Sequence, residues 1–342
     1  ESMGLYDFTD MLAEFVKGSD QFCPDFDLCF LDEAQDLSPL QWELAHAIDS
    51  HSKRMYCAGD DDQAIYRWAG ADVDHFINLP GGSETLSQSY RIPKLVHNLA
   101  EKVVRRITRR FPKSYKPKEE PGNVTRINSI SSLDMAEGSW LVLAQAGYHL
   151  QPVASELKSS GYLFNYRGHR SISEKLSESV NGWEQMRKGK EITGEVARKI
   201  YSFMSTGTRV SRGYKKLTGV NDHDLVTMGT LVDSFGLKAD KTMIWSEAMD
   251  KLPEGDRAYI TALLRRGEKF NGIPRITVST IHGSKGGEAD NVILFTDLSP
   301  AADNEMRINP DDMHRVFYVG LTRTKQNLFI VDAEDVTRSY EL

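Results

Sequence analysis

The segment Phe30-Leu31-Asp32-Glu33-Ala34-Gln35-Asp36 closes an apolar run, Leu28 to Leu31, with two adjacent carboxylates. A buried strand presents such a pair at the carboxyl edge of a sheet, where ligands of open α/β sheets bind. One carboxylate can hold a magnesium ion while its neighbour orients or deprotonates an attacking water, the pairing that nucleoside-triphosphate hydrolysis needs. Taken alone, the pair reads equally as solvated surface at a strand end. The glycine-rich phosphate loop ending in Lys-Ser or Lys-Thr, the usual companion of such a site, does not occur in the 342 residues.

Four further clusters carry chemistry. In Ala58 to Asp72, Gln63 lies just beyond the next apolar run, and Tyr66 and Trp68 follow within one turn. An amide can bond a terminal phosphate or its attacking water without adding charge, and the aromatics can stack on unpaired bases. Core packing is the commoner fate of a tryptophan. In Leu86 to Pro93, Tyr90 beside Arg91 can hold a flat heterocycle and a phosphate together, or simply form a helix-entry turn. In Val278 to Asp290, hydroxyls, an imidazole and glycines follow a strand, which suits close backbone approach to a phosphate-bearing ligand. In His314 to Lys325, Arg323 can stabilise transferring phosphoryl charge from a second domain.

These clusters need elements to hold them. Apolar residues at helical spacing over 5–17 predict an amphipathic helix, and Ser38-Pro39 opens a second one. Met55 to Ala58 reads as a short strand, so strand–helix–strand alternation predicts a parallel sheet. A long helix is expected from Pro93 to about Arg110, followed by a Pro-rich linker, Pro112 to Pro121. Trp140 to Leu143 and Tyr162 to Phe164 read as strands around a helix, Leu150 to Ser159. Helical patterns dominate from Ser171 to Gly272 (Ser177–Met186, Glu195–Met204, Asp222–Phe235, Asp256–Arg266). Strands return at Ile276–Ser279, Asn291–Phe295 and Leu328–Val331.

Bulk properties set the outer limits. A chain with 40% hydrophobic residues and net charge −7 supports more than one core and is no polycation, so nucleic-acid contact requires a local basic surface. Two such runs exist: Lys102 to Lys118, a solvated helix face or a phosphate-tracking contact, and Arg209 to Lys216, which could touch duplex DNA. Cys23, Cys29 and Cys57 show neither metal-ligand spacing nor a disulfide framework, which points to a reducing cytoplasm. No apolar run reaches spanning length, so no membrane partner is expected, and Glu1-Ser2-Met3-Gly4 is no signal peptide. The missing initiator suggests a piece of a longer protein.

In order and content the five clusters resemble the later signature motifs of the UvrD/Rep-type superfamily 1 DNA helicases, over residues 5–332. The Gln63 motif with its Tyr-x-Trp, and Val319-Gly320-Leu321-Thr322-Arg323, are the most specific. Asp7-Phe8-Thr9-Asp10-Met11-Leu12 is similar to the short motif preceding the acidic strand. The resemblance implies an α/β fold of two RecA-like parallel-sheet motor domains, the first incomplete, with a helical insertion in the second. On that reading 1–83 is the C-terminal part of the first motor domain, 84–170 the first part of the second, 171–272 the insertion and 273–342 the second part of the second. It implies ATP and Mg2+ as ligands, with Asp32 on the metal, Glu33 activating water and Gln63 sensing the γ-phosphate. Tyr90 would stack on adenine, Glu288 would lie near the nucleotide sugar and phosphates, and Arg91 and Arg323 would reach the γ-phosphate. Tyr66, Trp68, Thr280 and His282 would face DNA.

The implied activity is ATP-driven 3′–5′ movement on single-stranded DNA and at ss/ds junctions, in repair or replication. Several positions depart from the family pattern: Ala69, Gly287, Ala289-Asp290 and Ala144-Gln145-Ala146 stand where other residues are usual. With the N-terminal ATP-binding segment missing, the chain alone is expected to be inactive. The alternative is a non-hydrolysing nucleic-acid-binding or regulatory module on a helicase scaffold, against which the full phosphate-facing set argues.

Overall fold

In the computed structural model, which describes residues 5–270 and 272–342, Asp7 caps the first helix, α1 (Phe8–Phe22). The Asp7 and Asp10 carboxylates each accept the other's backbone N–H, at 2.9 and 3.1 Å, a reciprocal cap. The segment Glu1 to Gly4 lies outside the described residues. There follow β1 (Cys29–Leu31), α2 (Pro39–Ser50), β2 (Met55–Cys57) and a short α3 (Val73–Ile77). β1 and β2 pair in parallel with Leu31 opposite Cys57, the arrangement the alternation predicts. Pro39 occupies the first turn of α2, where no N–H is missed, and the Ser38 N–H donates to Gln41 at 2.9 Å. The apolar residues of α1 do not enter a core. Phe8, Met11 and Phe22 are exposed, and so are Phe30 and Tyr56, which stack at 5.6 Å on the β1–β2 ribbon.

The next helix, α4 (Lys94–Val104), ends well before Arg110. The Asp311 carboxylate accepts the backbone N–H groups of Thr108 and Arg109 at 2.9 Å and the Thr108 hydroxyl at 2.8 Å. Those amides are taken by a side chain instead of the preceding turn, so the helix cannot continue through them. Strand β3 (Asn123–Ile127) was not expected, because its apolar residues sit among polar ones. β4 (Trp140–Ala144) is buried along its length, as a strand covered on both faces must be.

Residues 133–137 and 151–278 form one of two compact units, and the remaining described residues form the other. The 151–278 unit contains most of α5 (Leu150–Ser159), then the hairpin β5 (Phe164–Tyr166) and β6 (His169–Arg170), then α6 (Glu174–Arg187), β7 (Ile192–Thr193) and α7 (Gly194–Ser202). After these come β8 (Leu225–Val226), α8 (Met228–Phe235), α9 (Trp245–Ala248), α10 (Glu254–Arg266) and β9 (Ile276–Thr280), which pairs in parallel with β5. The helix expected over 222–235 starts only at Met228, capped by the Thr227 hydroxyl, because Leu225 and Val226 pair with β7. Trp183 is fully buried, its indole N–H satisfied by the Met243 carbonyl at 2.9 Å.

The basic run at 209–216 is partly structural. The Lys215 ammonium takes the carbonyls of Tyr201, Ser202 and Met204 at the C-terminal end of α7, where a cation is favoured. Burial, with Lys251 nearby, pulls its pKa down.

The other unit closes with β10 (Ala289–Phe295), α11 (Pro300–Ile308), α12 (Pro310–Leu321) and β11 (Thr324–Val331). Its parallel sheet has the order β3-β11-β10-β4. Nearly every residue of α12 from Asp311 onward is buried, so this helix packs all round and its polar members need internal partners. Among the described residues no helix is long and apolar enough to cross a membrane.

Burial lowers the pKa of His149, His282 and His314, all in this unit, below the ordinary 6.5. Below pH 6.5 the unfolded chain then binds more protons than the folded one. Stability is therefore complete above that pH and falls as the pH drops from it through the depressed folded values. Urea midpoints should decline between about pH 7.5 and about pH 5.5, a range above most carboxylate titration. A flat profile would contradict this account.

Candidate phosphate and nucleic-acid site

The carboxyl ends of β1 and β2 are joined by backbone bonds, Ala58 N–H to the Leu31 carbonyl at 2.7 Å and Ala34 N–H to the Ala58 carbonyl at 3.0 Å, and beyond these by one neutral side chain. Gln35, fully buried, donates to Glu33 Oε2 at 2.5 Å and accepts the Asp60 N–H at 2.9 Å. Glu33 has a left-handed backbone (φ 52°), uncommon for a residue with a Cβ, and its N–H donates to Asp32 Oδ1 at 2.9 Å. Asp32 and Glu33 are exposed. Gly59 makes the close approach possible, since a Cβ there would lie 2.4 Å from Gln35 Oε1 and 2.8 Å from the Phe76 ring.

The turn Asp60 to Gln63 comes next. Asp60, Asp61 and Asp62 bring their carboxylates close enough to share a metal ion. Those carboxylates are already met by two cations from within. Lys113 ion-pairs with all three, and Arg110 makes a two-pronged contact to Asp62 at 2.8 and 2.7 Å. Burial raises the Asp60 pKa against the pull of Lys113, while burial of Lys113 is more than offset by the three carboxylates, so its ammonium is strengthened. Two arginines of this basic run are also engaged: Arg109 pairs with Asp74 at 2.7 Å and Arg106 donates to the Glu341 carbonyl at 2.6 Å. These arginines and Lys113 serve the fold.

Gln63 faces the other way. Its amide donates to Asp60 at 2.7 Å and its Oε1 accepts from Arg323 Nη2 at 2.8 Å. Arg323 is 2% exposed, and its remaining acceptors are neutral: the carbonyls of Val319 at 3.0 Å and Gly287 at 3.3 Å, and the Thr322 hydroxyl at 3.2 Å. Burial first, and repulsion from Arg91 second, bring its pKa down to about 10. A buried guanidinium held by neutral acceptors beside a second arginine has the chemistry to accept an anion. Arg91 itself bonds Glu288 at 2.6 Å, and Lys325 bonds the same carboxylate at 2.9 Å; these bonds, Lys325 first, hold the Glu288 pKa down.

Lys285 joins this region to the aromatic residues. Its ammonium pairs with Asp36, lies 3.5 Å from Glu33 and donates to the Gln63 carbonyl at 3.0 Å. It also sits 5.2 Å from the centre of the Tyr66 ring. Tyr66 donates its hydroxyl to the His282 carbonyl at 3.1 Å, and the rings of Tyr66, Trp68 and His282 lie 6.2–6.4 Å apart. Trp68 is 76% exposed, so core packing does not account for it. The Thr280 hydroxyl caps the following turn by accepting the Gly283 N–H at 3.1 Å.

The structure thus brings Glu33, Gln63 and Arg323 together through Gln35, Asp60 and Lys285. It pairs Arg91 with Glu288 and gathers Tyr66, Trp68 and His282. Tyr90 is 88% exposed and has no ring partner among the described residues. Lys285 and Gln35 were not singled out from sequence. The available signals were a lone lysine among glycines and a neutral amide inside an acidic run.

Two family models match the chain: the UvrD/REP helicase N-terminal domain over residues 1–81 and the UvrD-like helicase C-terminal domain over 169–335. The chain belongs to the UvrD/Rep-like superfamily 1 helicase family. Its mostly parallel α/β sheets are those of the RecA-like fold. It is 21% identical to the DNA helicase II of Rickettsia typhi, over 99% of this chain and 66% of the relative. It is 32% identical to the ATP-dependent DNA helicase PcrA of Staphylococcus aureus, over 26% of this chain and 13% of that protein. The chain spans slightly less than two thirds of the length of the rickettsial relatives it matches.

Gln35→Leu removes the amide that joins the two strand ends and leaves the buried Asp60 N–H unpaired. It should destabilise the chain by about 1–3 kcal/mol, measured by urea unfolding. A wild-type midpoint would show that the strand ends are held by other means.

Proposed function

We propose that this chain carries the later motifs of an ATP-driven DNA helicase that moves 3′–5′ on single-stranded DNA and acts at ss/ds junctions, in DNA repair or replication. The observation that carries the reading is the unbroken chain of contacts from the buried Arg323, through Gln63 and Lys285, to Tyr66 and Trp68. An anion that met Arg323 would compete for its bonds to Gln63, and Gln63 shares Lys285 with the aromatic group. A phosphate-dependent shift of this set would alter how Tyr66, Trp68, Thr280 and His282 meet bases and backbone.

ATP is the ligand that fits. Arg323 and Arg91 would receive its terminal phosphate, Tyr90 would stack on the base and Glu288 would lie near the sugar. Mg2+, held by Asp32, would neutralise phosphate charge. Glu33, oriented by Gln35, would accept a proton from water. Residues 1–83 then belong to a first motor domain, 84–170 and 273–342 to a second, and 171–272 to its insertion. The free thiols of Cys23, Cys29 and Cys57 suit a reducing cytoplasm.

No phosphate loop is present in the sequence, and the exposed apolar residues of α1 and the β1–β2 ribbon suit cover by further polypeptide. We therefore expect the 342 residues alone to bind DNA but to hydrolyse little or no ATP, which is where the binding-module reading retains force.

Labelled single-stranded oligonucleotide should bind this chain, and Trp68→Ala should weaken binding roughly 5- to 150-fold, the equivalent of one lost base stack. Fluorescence anisotropy measures this, and unchanged affinity would remove Trp68 from the site. DNA-stimulated ATP hydrolysis by the isolated chain at motor rates, on the order of 10 per second or more, would overturn its expected inactivity.

A further inference from the structure

In the 151–278 unit, one face of α5 and the β5–β6 hairpin enclose an open groove of 690 Å³. This lies within the range of ligand sites, which run from about 300 to 1,000 Å³. Its basic lining consists of Lys158, Arg167, His169 and Arg170, and none of its lining residues is acidic. Among the described residues Lys158, Arg167 and His169 have no carboxylate within ion-pair distance, although most other basic side chains around the two basic runs have structural partners. Arg170 is anchored through one guanidinium nitrogen to the carbonyls of Phe270 and Gly272, at 2.5 and 3.1 Å. Gln151, Ser155 and Tyr166 add polar atoms and one aromatic ring to the wall.

The hairpin turn carries an independent signal. Tyr166 pairs with His169, so the loop is the two residues Arg167-Gly168, and both have positive φ (49° and 86°). Such mirror-image turns favour Asn-Gly or Gly-Gly, because a side chain with a Cβ is strained in the first position. Here an arginine occupies it and lines the groove. A purely structural turn gains nothing from that choice, whereas a phosphate-binding one gains a forked donor.

We propose that this groove is a phosphate-binding site that tracks the backbone of a nucleic-acid strand, separate from the aromatic residues around Trp68. Lys158, whose ammonium lies 5.7 Å from the centre of the Tyr259 ring, and Arg167 supply charges without a carboxylate partner, Arg170 an anchored one, and the hydroxyl and amide of Ser155 and Gln151 the neutral bonds. That the phosphates belong to a nucleic-acid strand rests on the DNA-binding reading above; the groove's unpaired basic lining does not.

The test uses the full chain and a labelled single-stranded oligonucleotide, titrated across a range of salt. The double variant Lys158→Gln/Arg167→Gln should bind about 5- to 10-fold more weakly, and its log–log salt slope should fall by about 1.4, from about 0.7 per lost phosphate contact. Trp68→Ala, which removes stacking and no cation, should lower affinity and leave the slope unchanged. Arg167→Lys, which keeps the charge, should restore most of the slope to a Lys158-intact chain. Inorganic phosphate and pyrophosphate are titrated in parallel by NMR. If they bind through these residues and the oligonucleotide does not, the source is a free phosphate and the strand-tracking role is wrong. If the double variant matches wild type in affinity, slope and phosphate binding, or if none of the probes binds the wild type, the site does not exist.

Discussion

Three consecutive carboxylates can leave water only where cations follow them, and the Asp60–Asp62 turn is the constraint around which its unit is assembled. Asp61 and Asp62 are 2% and 0% exposed. Withdrawing an unpaired carboxylate from water costs several kcal/mol, so the turn commits other segments to meet it. Lys113 and Arg110 come from the segment after α4, the Phe111 N–H donates to Asp61 at 2.7 Å, and Arg315 of α12 donates to the Asp61 carbonyl at 2.9 Å. Two cations of a run that by sequence could have faced a nucleic acid are thereby taken up internally. Its consequence for the site is positional, because Gln63 ends the same turn and inherits its rigidity.

Against that anchored turn stands the opposite electrostatic arrangement. Arg323 is as thoroughly buried as the aspartates, yet no carboxylate meets it, and its pKa is depressed where those of Lys113 and Arg110 are raised. The same unit therefore contains one ionic cluster closed on itself and one cation left open. The first is satisfied within the fold, whereas a negatively charged group brought to the second would be attracted strongly in its buried surroundings. That contrast, more than any single distance, separates compensated from uncompensated charge in this molecule.

The sequence made the site more legible than the scaffold. Strand ends followed by Asp-Glu or by Gln, and aromatics one turn later, are local patterns whose chemistry does not depend on distant contacts, and Glu33, Gln63, Tyr66 and Trp68 could be named from them. Element ends were harder. α4 stops because Asp311, far along the chain, captures the amides of Thr108 and Arg109, and no local pattern records that. β3 is a strand because β11 pairs with it, despite its mixed composition. Lys285 and Gln35 went unassigned for the same reason: a lysine among glycines acquires a role only when folding brings Asp36 and Gln63 to it.

The two side chains that organise the site, Gln35 and Gln63, are both neutral, and their neutrality follows from what they touch. Gln35 sits between Glu33 and Asp36, so a carboxylate in its place would add a third negative charge in a buried position. Gln63 donates to Asp60 and accepts from Arg323 with the two ends of one amide, a bond pattern that no charged side chain can supply. A glutamate there would repel Asp60 and neutralise Arg323, satisfying the guanidinium permanently and leaving an incoming anion nothing to gain. An amide keeps Arg323 in place while leaving its charge uncompensated, so hydrogen bonds fix the geometry without cancelling the guanidinium's charge.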